Sequence, residues 1–172
     1  MTQSAFALEV RDLDRLTGPG AEELLREACG DEAVIDWAVH SVHHRPGAGV
    51  SVGYTVTTPL RRRYLVISTA RMDPEARVRY LEGRGCAVWE YPYDPELPAL
   101  SVASSAKKMS ALLGERVSVE LLNYRPTRRA VVKVRSHDAS LYFGKVLRPA
   151  QAAELAQRHR VLANAGVPVP AV

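Results

Sequence analysis

Cysteine is almost missing from this chain: 172 residues contain two, Cys29 and Cys86. Two thiols build neither a disulfide framework nor a cysteine-rich zinc site, so they read as reduced thiols in a cytoplasmic protein. Long apolar runs are missing as well. No segment approaches the roughly 20 apolar residues that span a bilayer, and the opening Met1-Thr-Gln-Ser-Ala-Phe-Ala-Leu-Glu9 lacks the basic stretch of a secretory signal. Lysine is absent from residues 1–100. No Gly-x-Ser-x-Gly, Walker loop or paired-carboxylate arrangement occurs, which argues against an independent hydrolase.

What is present is a core-forming composition, 47% apolar, with its charge unevenly divided. Residues 1–100 hold 11 Arg against 15 acids, or −4; residues 101–172 hold 12 Lys and Arg against 4 acids, or +8. All four lysines (Lys107, Lys108, Lys133, Lys145) lie in the second part. Such a shift predicts two units with different tasks, the second facing something anionic. Between them Tyr91-Pro-Tyr-Asp-Pro-Glu-Leu-Pro98 places three prolines in eight residues, a stiff non-helical connector. The expected domains are 1–100 and 101–172.

The two parts share an order of elements. His43-His-Arg-Pro-Gly-Ala-Gly-Val-Ser-Val-Gly-Tyr54 aligns with Asn123-Tyr-Arg-Pro-Thr-Arg-Arg-Ala-Val-Val-Lys-Val134, pairing Arg45-Pro46 with Arg125-Pro126. Helices are predicted over Ala21–Cys29 and Ala106–Leu113, closed by Gly30 and Gly114. Strands follow over Ala33–His43 and Val117–Tyr124, then Val50–Thr58 with Arg63–Ser68, and Ala130–Arg135 with Leu141–Leu147. Pro74 and Pro149 each open a helix at its first turn, and final strands are expected over Cys86–Tyr91 and Val167–Val172. The fold class is therefore α+β: two successive antiparallel sheet-plus-helix units related by an internal repeat.

The second unit carries the chemistry. Arg125-Pro-Thr-Arg-Arg129, with Thr127 and Arg128 inside it, sits at a hairpin tip. Lys145 lies one hairpin on, and strand alternation places it with Leu141, Phe143 and Leu147 on one face, partly buried. Glu154 follows in the first turns of the next helix. A flexible turn over phosphates, a strand lysine to hold them and a helix glutamate to hold the lysine are what kinase-type nucleotide binding requires.

Phe143-Gly-Lys-Val-Leu-Arg-Pro149 and Val161-Leu-Ala-Asn-Ala-Gly-Val-Pro-Val-Pro170 give residues 117–172 a further character. They resemble the N-terminal lobe of the aminoglycoside phosphotransferase/choline kinase-like superfamily. Residues 1–100 look like the extra N-terminal cap of its maltokinase-type members. The resemblance implies a kinase-like lobe in which Lys145 contacts the α- and β-phosphates of ATP, Glu154 partners it, and the 125–129 hairpin covers the phosphates. The whole enzyme would transfer the γ-phosphoryl group to a hydroxyl of a sugar, aminoglycoside or amino-alcohol.

That transfer needs a catalytic aspartate and Mg²⁺ ligands, which the family takes from a C-terminal lobe. No His-x-Asp occurs here, and the sole Asp-x-Asp, Asp12-Leu-Asp14, reads as the start or cap of a helix. The 172 residues are thus expected to be inert by themselves, with Mg²⁺ held by residues beyond Val172. The alternative is a standalone, non-catalytic interaction module with the same fold.

The first unit reads as a degenerate copy: alignment puts Ile67 where Lys145 stands, and Gly47-Ala-Gly-Val-Ser-Val-Gly53 is one residue too long for a phosphate loop. His40 and His44 share a strand face while His43 points away, with no carboxylate or cysteine to complete a metal set. Arg61-Arg-Arg63 reads as a solvated turn. The basic second half has no RNP-like platform, GXXG loop or helix-turn-helix, which argues against nucleic acid.

Overall fold

A computed structural model describes residues 3–74 and 76–169, and the chain divides between Glu96 and Leu97 into two units. The first begins with α1 (Gln3–Thr17) and α2 (Gly20–Cys29). In α2, Ala21, Leu24, Leu25 and Ala28 recur at helical spacing and are all buried, the stripe of a helix lying on a sheet. Gly30 ends it at φ +64°, donating its N–H to the carbonyls of Arg26 and Glu27; a left-handed residue there favours glycine.

The sheet beneath is antiparallel and five-stranded: β1 (Asp36–His44), β2 (Val50–Thr57), β3 (Arg62–Ser68), β4 (Arg79–Leu81) and β5 (Cys86–Glu90), in the order β1-β2-β3-β5-β4. Alternation along β2 directs Val50, Val52, Tyr54 and Val56 into one core cluster with Leu16, Leu24 and Leu25 of the helices. Leu16, Leu24 and Leu25 are almost completely covered, each burial worth about 2 kcal/mol. The Tyr54 hydroxyl donates to the Leu16 carbonyl at 2.5 Å, and burial drives its pKa far upward. On the opposite face of β2, Ser51 and Ser68 face each other in register with hydroxyls 2.7 Å apart.

The second unit holds α3 (Leu100–Ala103), α4 (Ala106–Leu113), the meander β6 (Val117–Arg125), β7 (Arg129–Ser136) and β8 (Leu141–Leu147), and α5 (Pro149–Asn164). Ser105 caps α4 by accepting the Lys108 N–H at 3.3 Å, and Gly114 closes it in the left-handed region. Pro149 stands in the first turn of α5, where its missing N–H is not needed. One face of the meander is packed, with Ala130, Val132, Val134 and Val146 buried. The other is open.

Several expectations are corrected. No helix follows Pro74 among the described residues: a single turn closes, Ala76 N–H to the Asp73 carbonyl at 2.9 Å, before the chain extends into β4. Val78 and Tyr80 alternate with arginines there, a period that suits a strand and not a helix. Asp12 and Asp14 lie inside α1, where Asp12 pairs with Arg15 at 3.1 Å, and do not begin or cap it. No strand forms over residues 167–169; the remaining expected residues 170–172 lie outside the described ones. No helix of the described residues is long and apolar enough to cross a membrane.

Candidate functional site

The open face of the second unit's meander is set by register. Lys145 of β8 stands opposite Val131 of β7, Phe143 opposite Lys133, and Leu147 opposite Arg129. On the far side Arg125 of β6 stands opposite Arg129, and Glu120 opposite Lys133. Opposed residues share a face, so Arg125, Arg129 and Lys145 project from the same surface at the end where β6 turns into β7. A bulge between Leu121 and Asn123 restores that alignment along β6.

Lys145 is exposed on this surface, not partly buried as the sequence suggests. Alternation did place it with Leu141 and Phe143, but that is the uncovered face: Leu141 is 45% and Phe143 64% exposed, while neighbouring Val146 is 7% exposed on the packed side. An apolar run on a strand reports a face; it does not report that anything lies on it.

Three of the unit's four acids, Glu120, Asp138 and Glu154, are engaged elsewhere. Glu154 does not meet Lys145; its carboxylate accepts from Arg158 one helical turn on, at 2.7 Å, with both side chains more than half exposed. Glu120 holds Lys133 at 2.9 Å. Asp138 accepts from Ser136 and Ser140 within its own turn, bonds that hold its carboxyl below the usual aspartate range. Among the described residues no ion pair neutralises Arg125, Arg128, Arg129 or Lys145.

The hairpin tip is a tight, braced turn, where a flexible one was expected. Arg125 accepts the Arg128 N–H at 3.0 Å, Pro126 occupies the second position, and Thr127 the third at φ +60°, the pattern of a type II turn. Thr127 is only 5% exposed, and its carbonyl accepts from Arg148 Nε at 2.6 Å. A β-branched residue at positive φ is strained, and here packing and Arg148 hold it. The flanking guanidinium groups of Arg125, Arg128 and Arg129 are exposed.

The first unit is arranged differently. Ile67, aligned with Lys145, is fully buried in its core. A bulge between Val39 and Ser41 of β1 breaks the alternation expected there. His40 packs edge-on against Tyr64, while His44 turns to the helix side and meets Glu9 of α1 at 3.0 Å, so the two imidazoles do not share a face. No group of three His, Cys, Asp or Glu among the described residues is placed to hold a metal ion. Arg61 and Arg63 both bond Glu90. Cys29 and Cys86 are buried free thiols whose pKa values desolvation raises; a protonated, enclosed thiol is a poor nucleophile.

Sequence reasoning missed two features. Arg148 closes the turn across 21 residues, and the carboxylate of Glu9 is bound by the β1–β2 loop. The chain matches no protein family, no curated protein and no solved structure.

Proposed function

We propose that the second unit is the ATP-binding part of a small-molecule phosphotransferase, with the phosphates seated on Arg125, Arg129 and Lys145. One observation carries this reading: three cations stand on one exposed sheet face, and among the described residues no ion pair neutralises them. Polyphosphate supplies that charge, and guanidinium and ammonium donors form charge-assisted bonds to its oxygens. The braced turn sets the positions of Arg125 and Arg129 in advance, which lowers the entropy lost on binding. The likeness of residues 117–172 to the aminoglycoside phosphotransferase/choline kinase-like N-lobe supports the same assignment. The acceptor is then a sugar, aminoglycoside or amino-alcohol hydroxyl.

Mg²⁺ ligands and a catalytic aspartate do not belong to this surface, since its one carboxylate, Glu120, is committed to Lys133; the proposal assigns them to a further lobe. Duplication of the two units is part of the reading, supported by the meander in each whose first strand carries a bulge.

A titration of the ¹⁵N-labelled chain with ATP tests the assignment even when binding is weak. Amide shifts are expected at Arg129, Val131, Phe143 and Lys145, and strongly reduced shifts in Lys145→Ala. Equal shifts in that variant, or shifts spread over other surfaces, would refute it. A second reading, a non-catalytic interaction module, draws on the commitment of Glu154 to Arg158, which leaves the lysine without a carboxylate partner. Phosphotransfer from ATP to hydroxyl acceptors by the intact protein decides between the two.

A further inference from the structure

Glu9 is 9% exposed, and its two carboxylate oxygens meet three donors. Oε1 accepts the backbone N–H of Gly47 at 2.8 Å and of Gly49 at 3.2 Å, and Oε2 lies 3.0 Å from His44 Nε2. Two of these donors belong to the turn between β1 and β2, 38 and 40 residues away in sequence. Both glycines stand at φ +79°, which turns their amides toward a common point. Nearby backbone amides so directed make an anion-binding concavity. Gly49 admits no side chain: a Cβ there would lie 2.7 Å from the Ala70 nitrogen. The loop is built around an oxyanion, and the chain itself supplies one.

We propose that the Gly47–Gly49 loop with His44 forms an oxyanion receptor whose resident ligand is the Glu9 carboxylate, and that a free carboxylate or phosphate takes the same seat once the Glu9 side chain is removed. The receptor belongs to the hairpin and the ligand to α1, so the two are separable by substitution. With Glu9 gone, two converging N–H donors lose their acceptor, and an emptied receptor of this kind draws an anion from solution. While α1 is docked, its carboxylate acts as a tethered ligand at high effective concentration and solutes do not compete. α1 is in this sense latched to the sheet by an anion–receptor bond. The inference is independent of the nucleotide reading of the second unit.

The test uses the full chain with Glu9→Ala, titrated with sodium formate against sodium chloride at equal ionic strength, and with inorganic phosphate in a separate arm. Formate should shift the Gly47 and Gly49 amide protons downfield, toward their wild-type positions. It should also raise the unfolding temperature of the variant's first unit by roughly 6–11 °C at ten times its dissociation constant, with no such response in the wild-type chain. A matching response to phosphate marks a general oxyanion seat, and its absence marks one shaped for carboxylate; either supports the proposal. No response to formate or phosphate, or an equal response to chloride, overturns it. If Glu9→Ala does not fold, Glu9→Gln keeps the shape and weakens the acceptor. The two glycine amide protons should then move upfield, and unchanged positions would overturn the proposal.

Discussion

Arg148 and Thr127 are joined by a bond of 2.6 Å, from Nε of the one to the carbonyl of the other. It ties the residue that precedes α5 to the tip of the β6–β7 hairpin, and it holds a threonine at φ +60°. A charged donor on a partly buried carbonyl contributes about 1–2 kcal/mol. Arg148→Ala should lower the unfolding free energy of the second unit by that amount in urea titrations. Arg148→Lys should not restore it, because a lysine has no donor at the Nε position.

The divided roles of the cations and of Glu154 give a second expectation. Arg125→Ala and Arg129→Ala should each weaken ATP binding about 5–10-fold, an effect that shrinks as salt is raised. Stability should stay within about 0.5 kcal/mol, since both side chains are exposed. Glu154→Gln should alter neither quantity, because an exposed i,i+4 pair contributes only about 0.3–0.5 kcal/mol. Isothermal titration of the variants with ATP checks all three.

Many of the strands and helices of both units were legible in the sequence because glycine and proline punctuate them. Gly30, Gly114 and Pro149 mark helix ends, and alternating apolar residues mark β2, β7 and β8. What was hidden had no local signal. Phe6, Val10, Leu13 and Leu16 of α1 keep helical spacing, but that stripe says nothing of what Glu9 binds. Two of its three partners are backbone amides, which no residue type advertises. Lys145 was read correctly onto a face with Phe143. Burial of that face was not readable, because it depends on what packs there. Glu154 was chosen by order along the chain, and geometry gave it to Arg158 instead.

Gly53 explains itself only in three dimensions. A Cβ at this position would overlap the Tyr64 hydroxyl and lie 2.7 Å from Ser41 Oγ, two groups that bond each other at 2.9 Å. Gly53→Ala should destabilise the first unit by about 2–3 kcal/mol. Adding Tyr64→Phe removes the overlapping oxygen and should recover part of that loss. The recovery stays partial because the ring carbon beneath the hydroxyl also lies 2.7 Å from the new methyl. Full additivity of the two substitutions would show that the clash is elsewhere.

The Glu9 latch also makes the first unit sensitive to acid in one direction. Its hydrogen bond to His44 holds the carboxyl below the ordinary glutamate value of 4.5, with the Gly47 and Gly49 amides adding to the effect against desolvation. His44 is the titratable side chain that faces it, at 3.0 Å. A folded-state pKa below the unfolded one means that the unfolded chain binds the proton more readily. The stabilisation is therefore complete above the unfolded value and is lost as pH falls through the lowered folded one. Glu9→Gln should be less stable than the wild-type chain at neutral pH, and the gap should narrow as pH falls below 4.5 and through the lowered folded value. Urea midpoints across the acid range measure this. A gap that persists unchanged into acid would mean that the carboxylate charge contributes nothing and that shape alone holds α1 in place.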